Sequence, residues 1–530
     1  MVTPARTDRR EASSGVQLAE VVAAIALAAD LGLGQPLEHV LRSCVIATRF
    51  AEHLGLSQGD RDATYWRTLF ALAGCTAVSF ELASVFGDDI ALRGGVYSVG
   101  ASNLEQLRYL LAAAGSNRGL LGRANVLAGL LRTRFSVMEQ TTIAHCAVGA
   151  RLAERLGLGE PVVASLLQTF ARWDGKGLPR GLAGEEILLP SRITSMAVLM
   201  EFRHRVHGVA ATIACAREFS GKSFDPSLVK AWCAAAPELL AGIDAESSWE
   251  RVVAAQPAGR GPLSEAELDD ALALLANYAD LKSPWFTGHS RGVAELAVAA
   301  ARHAGLPEAE LTTLRRAALV HDLGRNGVPN TIWDKPGPLS AAETERVRLH
   351  AYYTDRVLRR ASRLALLATV ASAAHERSGG SGYPRGIAGG TIPLLGRFLE
   401  AADAYHAMLE DRPHRLALTR DAAGGELRRA ARAGELDGSA VDAVLAAAGH
   451  SVRRKPTAPA GLTPREVEVL VLAARGGTTR AVATALGIAP KTAGNHIERI
   501  YSKIGVSSRA EAAMFAMQYG LLPSWENAQA

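Results

Sequence analysis

Residues 321–340 read HDLGRNGVPNTIWDKPGPLS, and this stretch carries the strongest structural signal in the 530-residue sequence. His321 and Asp322 are adjacent, so on a helix their side chains would differ by about 100°. Two neighbours that both face a site can bind one metal ion jointly, or the carboxylate can bridge two ions. The stretch ends at Ser340, which forms with Glu343 a capping box that opens a helix. These residues predict a polar site followed directly by a helix.

The sequence around this stretch is typical of helices. Apolar residues keep helical spacing at Leu296 and Ala300, and alternating apolar and polar runs typical of strands are absent. A further run with helical spacing consists of Leu311, Leu314 and Ala318. Gly305-Leu306-Pro307 marks a break between helices. Because aromatic residues make up only 5% of a chain rich in Ala, Leu and Val, we predict an all-α fold.

Imidazole and carboxylate side chains recur through the same region, at His289, His350, His375 and Asp403. Nitrogen and oxygen ligands of this kind suit iron, manganese, zinc or magnesium. A two-metal site holds a phosphoryl group and lowers the pKa of a bridging water for in-line attack. A single histidine in a helical bundle is more often a surface or core residue, so only the whole set indicates a metal site.

At these spaced motifs the region resembles the HD-GYP subgroup of HD-domain phosphohydrolases, over about 170 residues. The matching segments are GHSRGVAELA around His289, residues 321–340, His350, HERSGGSGYPRG from His375, and AADAYHAMLEDRPHR around Asp403. The resemblance implies an all-helical fold with one or two divalent transition-metal ions, iron or manganese. It also implies hydrolysis of the bacterial second messenger cyclic di-GMP.

The resemblance further implies roles for individual residues. The metal ligands would be His289, His321, Asp322, His350, His375 and Asp403, with Asp322 as the bridging ligand. Arg325 stands where the family usually has Lys, and its guanidinium keeps the positive charge and can clamp a phosphate. Asp322 and Arg325 would be the catalytic residues. The substrate-binding residues would be Arg325, Gly382, Tyr383 and Pro384.

Besides Arg325, the sequence departs from the family pattern at three further places. Ala374 replaces one of the two histidines that usually precede the Glu, and Ser378-Gly379 replaces a Trp-Asp pair. Trp285 stands where three-metal members carry an acidic ligand. These departures predict a complete ligand set for one ion, the loss of one ligand at the second, and no three-metal centre.

An earlier part of the chain repeats this region. His39 and His289 occupy equivalent positions 250 residues apart, whereas His145 and His350 are 205 residues apart. The first copy therefore carries an insertion of about 45 residues, and its GLPRG segment aligns with GYPRG of the second copy. The collinear order predicts two modules, 16–240 and 266–450, with a linker at 241–265.

The first copy lacks most of the candidate ligands. Ala71-Leu72 stands where the second copy has His321-Asp322, and Phe170-Ala171 stands where it has His375-Glu376. Two remaining imidazoles without the His-Asp pair cannot build the site. We predict a degenerate HD-GYP-like domain, catalytically dead, with a sensory or dimerising role.

After a basic, Pro-containing linker at 451–460, the sequence changes character. Thr463 and Glu466 form a capping box with Pro at the first helical position. The apolar stripe of that first helix is predicted at Val467, Leu470, Val471 and Ala474. Further helices are predicted from about Thr479 to Leu486, from Pro490 to Gly505, and after a cap at Ser508. A short helix, a tight Gly turn and a third helix with a polar face indicate a helix-turn-helix domain at 461–523.

This domain resembles the LuxR-type helix-turn-helix at LTPREVEVL, Pro490-Lys491-Thr492, Asn495-His496-Ile497 and Lys503. The segment 461–522 has seven basic and four acidic residues, a balance that suits phosphate contacts. The resemblance implies double-stranded DNA as a partner and a homodimer formed through the fourth helix. The DNA-binding residues would be Lys491, Thr492, Asn495, His496, Arg499 and the phosphate-binding Lys503.

Composition narrows the functional class and the compartment. The chain is 48% hydrophobic and 21% charged with a net charge of +5, which is ordinary for a globular protein. Five cysteines without a CxxC spacing favour a reducing compartment. No apolar run approaches the ~18–20 residues that span a membrane, and the N-terminus lacks the apolar segment of a secretory signal. We expect a cytoplasmic protein without membrane contact, with a disordered tail at 1–15 and another tail at 524–530.

Two hypotheses of different classes follow. The first is a LuxR-type transcriptional regulator whose DNA binding is controlled by a tandem HD-GYP-like sensor for metal and a cyclic dinucleotide or related phosphodiester. The second is an active metal-dependent phosphodiesterase that hydrolyses cyclic di-GMP and uses the DNA-binding domain only for localisation. The intact helix-turn-helix and the altered metal site favour the first.

Overall fold

The computed structural model describes residues 15–116, 118–132, 136–245, 247–361, 363–451, 459–506, 508–519 and 521. Within these ranges the ordered elements are helices and no strand occurs, so the predicted all-α class is confirmed. The tails predicted at 1–15 and 524–530 lie almost entirely outside the described residues. The same holds for most of the linker predicted at 451–460.

The helices fall into two compact units, Met1–His450 and Ser451–Ala530. The helices up to the predicted end of the first copy are α1 Leu18–Gly32, α2 His39–His53, α3 Gln58–Phe70, α4 Ser79–Phe86, α5 Asp89–Val96, α6 Asn103–Ala113, α7 Leu120–Arg132, α8 Ser136–Arg155, α9 Glu160–Leu166, α10 Leu189–His207, α11 Val209–Phe219 and α12 Pro226–Leu239.

The remaining helices of the first unit are α13 Ser248–Ala254, α14 Glu265–Asp280, α15 His289–His303, α16 Glu308–Leu319, α17 Asn330–Trp333, α18 Ala341–Leu358, α19 Ala365–Ala371, α20 Leu394–Met408, α21 Arg420–Arg432 and α22 Gly438–Ala447. The second unit contains α23 Pro464–Ala474, α24 Thr479–Leu486, α25 Pro490–Ile504 and α26 Arg509–Gln518. Short 3-10 turns lie at Ala73–Val78, Gly184–Glu186, Pro284–Phe286, Leu323–Gly327, Gly389–Thr391 and Pro459–Gly461.

Repeated sequence positions adopt repeated local structure. The carboxylate of Asp30 accepts the backbone N–H of Val40 at 3.1 Å, and that of Asp280 accepts the backbone N–H of Ser290 at 3.1 Å. Each of these bonds fixes the start of the helix that carries the equivalent histidine, α2 or α15.

Two glycines show the same correspondence. A Cβ on Gly74 would collide with the carbonyl of His145, and a Cβ on Gly324 would collide with the carbonyl of His350. In both copies, therefore, a long helix packs directly onto the 3-10 turn, α8 in the first and α18 in the second.

Helix α1 joins the two copies. It is apolar around its whole circumference, as expected of a helix that is surrounded by protein. It packs against α2 and α3 of its own copy and against α18 and the 3-10 turn Leu323–Gly327 of the second copy. The segment predicted as a linker, 241–265, contains α13, which packs on α1 and α2. The two copies consequently share one compact unit.

One stretch, Gln58–Phe86, is apolar and long enough to cross a membrane by length and composition alone, which the sequence analysis did not anticipate. In the structure it is divided into α3, a 3-10 turn and α4. Of its most apolar window, 67% is buried inside the protein. Core helices also pass such a test, so burial in the core accounts for its composition.

A buried ion pair crosses between the copies. Lys282, which follows α14, lies with its Nζ 2.9 Å from the Asp89 carboxylate at the start of α5, and both side chains are fully buried. Asp89 also pairs with Arg93 at 2.9 Å and accepts the backbone N–H of Asn330 at 2.8 Å. Burial alone would raise the pKa of Asp89, but the charges of Lys282 and Arg93 lower it below its ordinary value. The first copy thus holds the start of α17, just beyond the His-Asp turn.

We expect Asp89→Ala to cost about 3–5 kcal/mol of unfolding free energy, because Lys282 would be left charged, buried and without its carboxylate. Urea unfolding of the full chain measures this cost. The matched control is Glu154→Ala, which removes the exposed ion pair with Arg151 and should cost about 1 kcal/mol or less. Equal costs for the two variants would contradict the structural role of the pair.

Candidate metal centre and candidate nucleic-acid interface

The six predicted metal ligands come from separate elements of the second copy. His289 is the first residue of α15, and Gly288 before it takes a left-handed conformation at φ 82°. His321 and Asp322 lie in the turn between α16 and the 3-10 turn, not within a regular helix. His350 lies in α18, His375 in a turn after α19, and Asp403 in α20.

The Asp322 carboxylate lies at the centre of four imidazoles. Its Oδ2 is 2.9 Å from His321 Nε2 and 3.5 Å from His289 Nε2. Its Oδ1 is 3.3 Å from His350 Nε2 and 3.6 Å from His375 Nε2. Asp322 is completely buried and faces one histidine pair with each oxygen. This is the position that a ligand bridging two ions requires.

Asp403 completes the cluster on the other side. Its Oδ1 is 3.1 Å from His289 Nε2, and its Oδ2 is 3.4 Å from His375 Nδ1. Two groups of three donor atoms can each hold an ion, with the atoms of a group within 4.8 Å of one another. These groups are His289, His321 and Asp403, and Asp322, His350 and His375.

Hydrogen bonds outside the cluster set the orientation of three imidazoles. His321 Nδ1 lies 2.7 Å from the Ala318 carbonyl, and His350 Nδ1 bonds to the Val347 carbonyl. His289 Nδ1 lies 2.8 Å from the Glu410 carboxylate. When these Nδ1 atoms donate, each Nε2 carries a lone pair directed into the cluster. That is the usual arrangement of histidines that bind a metal.

The donor atoms fit a divalent metal. Within the described residues, His289 Nε2, His321 Nε2 and both carboxylate oxygens of Asp322 are buried and make no well-directed hydrogen bond, although they lie within ion-pair distance of charged groups of the cluster. Buried polar atoms are normally paired, because an unpaired one loses its hydration without compensation. Ions coordinated at this place would satisfy all four atoms, and the nitrogen and oxygen donors suit iron, manganese or zinc.

The carboxylates of the cluster raise the pKa of two of its histidines. Burial lowers the pKa of His321, but Asp322 and Asp403 more than compensate and raise it to about 10. The pKa of His289 is raised to about 9 by Asp322, Asp403 and Glu410, against the effects of burial and of Arg325. An entering metal ion therefore displaces protons from these imidazoles.

Arg325 lies directly beside the cluster. One of its terminal nitrogens contacts Asp322 Oδ2, and its guanidinium carbon lies 4.1 Å from the centre of the Phe286 ring. Its Nε and other terminal nitrogen are buried without hydrogen-bond partners in the part of the chain that the structure describes. These donors are the ones that remain for a phosphate group.

The predicted substrate-binding loop is held by a buried carboxylate. Glu376 accepts the backbone N–H groups of Arg385 at 2.8 Å and Ile387 at 3.0 Å. The Tyr383 ring stacks on His375 with centroids 5.1 Å apart, and the Tyr383–Pro384 bond is cis. Gly382 has a packing role, because a Cβ there would collide with the backbone of residues 376 and 377.

Sequence reasoning missed three residues at the edge of the cluster, namely His406, Glu410 and Arg412. Glu410 contacts His289, and Arg412 contacts Glu410 at 2.5 Å. His406 Nδ1 lies 3.3 Å from the other Glu410 oxygen. The spacing of three residues between Asp403 and His406 on α20 is the helical signal that could have found His406, whereas Glu410 and Arg412 lie beyond the end of that helix.

The first copy has lost the corresponding arrangement. His145 Nε2 lies 3.1 Å from the carbonyl of Ala71, and the edge of its ring packs on Phe170. His39 Nδ1 contacts the buried carboxylate of Glu201. No group of three candidate metal ligands occurs among the described residues of this copy.

The second unit has a small core and an exposed polar helix face. Its core is formed by residues of α23 to α26, including Ala493 and Ile500 of α25. Lys491, Thr492, Asn495 and Arg499 are exposed on α25, and His496 is half-buried. Gly487 ends α24 in a left-handed conformation at φ 64°, as the predicted tight turn requires. The exposed residues share one side of α25.

Two details of this unit differ from the sequence analysis. The buried residues of α23 are Glu466, Val469, Leu470 and Ala473; of the predicted stripe, Leu470 is buried, and Val467 and Ala474 pack partly buried against the core. Glu466 both caps α23 and pairs with Lys503, whose Nζ lies 2.7 Å and 2.8 Å from its two oxygens. The Lys503 side chain is thus paired with Glu466 but stays 40% exposed, and its contact with a DNA phosphate stays a prediction.

Comparison with known proteins gives two family matches. The family described as "HD domain" matches residues 273–440. The family described as "Bacterial regulatory proteins, luxR family" matches residues 460–516. The HD-domain match covers the second copy, and the luxR match covers most of the predicted helix-turn-helix domain.

Relatives extend the similarity beyond the second copy. The chain is 32% identical over 410 residues to the 3'3'-cGAMP-specific phosphodiesterase 3 of Vibrio cholerae, with 77% of this chain and 89% of the relative covered. It is 34% identical over 183 residues to the cyclic di-GMP phosphodiesterase response regulator RpfG of Xanthomonas campestris, covering 34% of this chain and 47% of that protein. The crystal structure of a cyclic GMP-AMP specific phosphodiesterase of V. cholerae, V-cGAP3, matches with a TM-score of 0.58 and 28% identity, over 83% of this chain and 99% of that one.

We expect the purified full chain to retain a divalent transition metal, which His321→Ala/Asp322→Ala removes because both histidine pairs lose their common carboxylate. Metal analysis of the purified proteins measures this. Asp322→Asn, which keeps the side-chain volume, tests the same loss with less disturbance of the fold. His303→Ala, at the exposed end of α15, is the control. Full metal content in the double variant would contradict the assignment.

Lys491→Ala and Asn495→Ala should each weaken binding to a specific DNA site by about 1–3 kcal/mol, because exposed side chains on such a helix read base edges. Gel shifts with specific and unrelated duplexes measure both affinity and preference. Lys230→Ala, which removes an exposed lysine from α12, should leave both unchanged. An unaltered sequence preference in both α25 variants would show that this face does not read bases.

Proposed function

This chain belongs to the HD-GYP family of HD-domain proteins, and from that premise we propose that it is a transcriptional regulator whose LuxR-type domain is controlled by its tandem HD-GYP module. The module would act as a sensor that binds divalent metal together with a cyclic dinucleotide or a related phosphodiester. The observation that carries this proposal is the buried cluster of His and Asp side chains around Asp322, in a chain that also presents an exposed basic helix face.

The chemistry of the cluster and the names of the relatives support this class of ligand. Relatives act on 3'3'-cGAMP or on cyclic di-GMP, both of which contain two phosphodiester groups. A buried guanidinium with free donors, Arg325, suits a phosphate oxygen. We propose 3'3'-cGAMP as the first ligand to test, because the similarity to its phosphodiesterase spans both copies of the module.

The residues that would hold iron or manganese divide into two sets. His289, His321, Asp322 and Asp403 would hold one ion, and His350, His375 and the shared Asp322 would hold a second. Bound divalent ions supply Lewis acidity toward water and toward a phosphoryl group. Asp322 and Arg325 would be the residues closest to the chemistry, since Arg325 neutralises negative charge beside the bridging carboxylate. Tyr383 and Pro384 would border the nucleotide.

On the DNA side, α25 would enter the major groove with Lys491, Thr492, Asn495, His496 and Arg499 toward the bases and phosphates. Helix α26 would pair two subunits, because Met514 and Met517 are 69% and 67% exposed there. Two large apolar side chains that are exposed three residues apart on one helix form an apolar surface that suits a dimer contact.

We also propose a cytoplasmic location. All five cysteines lie within the described residues and are free thiols, four of them buried. Reduced thiols of this kind are typical of proteins in a reducing compartment.

A second candidate function is an active phosphodiesterase that uses its DNA-binding domain only for localisation. The complete ligand set of the first ion favours it, as does 32% identity to a phosphodiesterase across 77% of this chain. Ala374 weighs against it, because the second set then has one histidine fewer than the family pattern.

Reciprocal linkage separates the two candidates. If the sensor controls DNA binding, a duplex selected with the full chain must change 3'3'-cGAMP affinity by the same factor as the dinucleotide changes duplex affinity. We expect a factor of about 5–150, measured by calorimetry with and without the other ligand. Asp322→Asn, which we expect to lose the metal, serves as the control and should show no linkage. Equal affinities in both titrations, with turnover of the dinucleotide, would favour the second candidate.

A further inference from the structure

We propose that Glu410 is a positioning residue for His289, which it orients as a metal ligand through the Nδ1–H of the imidazole. This inference rests on the proposed metal centre and adds a residue outside its predicted ligand set. Glu410 follows α20 by two residues, so it reaches the cluster from the same segment that supplies Asp403.

The contact is short and sheltered. Glu410 Oε2 lies 2.8 Å from His289 Nδ1, and the His289 side chain is fully buried. On its opposite ring nitrogen His289 faces Asp322 and Asp403. With the Nδ1–H donated to Glu410, the Nε2 lone pair points at those carboxylates, where an ion would lie. A carboxylate behind a histidine also raises the basicity of the ligating nitrogen.

Glu410 is itself held in place. A terminal nitrogen of Arg412 lies 2.5 Å from Glu410 Oε2, and the other bonds to the carbonyl of Trp285. The Arg412 guanidinium carbon lies 4.9 Å from the centre of the Phe286 ring. The remaining oxygen of Glu410 lies 3.3 Å from His406 Nδ1. The carboxylate therefore has little freedom to leave His289.

The charges around Glu410 distinguish a positioning role of this residue from a separate cation site. The donor atoms of His289, His406 and Glu410 lie close enough together to hold an ion. The guanidinium of Arg412, however, lies 2.5 Å from Glu410 and 3.5 Å from His289 Nδ1. Arg412 already neutralises the single carboxylate of this group, whereas the cluster around Asp322 keeps a second carboxylate, Asp403, beyond the one that Arg325 contacts. Glu410 thus acts on the metal through His289.

The test titrates metal-stripped full chain with Mn²⁺ and uses two substitutions. Glu410→Ala removes the acceptor and should weaken Mn²⁺ binding by about 10–100-fold. Glu410→Gln should recover much of that loss, because its amide oxygen still accepts the Nδ1–H. Glu295→Ala, on the exposed side of α15, is the matched control and should bind Mn²⁺ like the wild type.

Thermal unfolding of the metal-free proteins separates positioning from packing. Unchanged metal-free stability in Glu410→Ala, together with weaker Mn²⁺ binding, supports the proposal. Wild-type Mn²⁺ affinity in Glu410→Ala overturns it, as does an equal loss of affinity in Ala and Gln variants that both unfold earlier. Absence of Mn²⁺ binding in the wild type would instead overturn the proposed metal centre itself.

Discussion

The structure of the second copy depends on a carboxylate that is buried in the middle of five positively charged or ionisable groups. Asp322 is completely buried and contacts four imidazoles and one guanidinium. A buried carboxylate is costly unless opposite charges and hydrogen bonds compensate its lost hydration. That compensation comes from His289 of α15, from His350 of α18, and from three residues of the neighbouring turns, namely His321, Arg325 and His375, so the packing of these segments is tied to the charge between them. The same requirement explains why the residues behind the histidines, such as Glu410, are fixed by contacts of their own.

The duplication gives this centre its support. Equivalent carboxylates, Asp30 and Asp280, start equivalent helices in the two copies, and equivalent glycines admit a helix onto each 3-10 turn. The first copy has apolar residues at the positions of His321, Asp322 and His375 but keeps the fold, and its α1 lies against the 3-10 turn that follows His321-Asp322 in the second copy. The buried pair of Asp89 and Lys282 adds a charged contact to this apolar one. A degenerate copy can therefore persist because its surface is part of the other copy's core.

The helix-turn-helix unit differs from the second copy, because nearly all of its structural features follow from residues close together in the sequence. Capping residues, left-handed glycines and the proline at the start of α25 follow from sequence spacing within a few residues. The local sequence pattern does not reveal the pairing of Lys503 with Glu466, which lie 37 residues apart. The pairing accompanies the burial of one polar residue of α23, Glu466.

The sequence by itself determined the all-α class, the boundaries of α24 and α25, and the identity of the clustered His and Asp residues. The helices follow from the spacing of residues close together in the chain, and the clustered His and Asp residues are of types that bind metal ions. Tertiary structure alone decided that His321 and Asp322 lie in a turn, that α1 belongs to the core of both copies, and that Glu410 lies behind His289. The last two are contacts between segments far apart in the chain, such as the 121 residues that separate His289 from Glu410. Sequence periodicity reports which face of a helix is buried, but it contains no information about which distant segment covers that face.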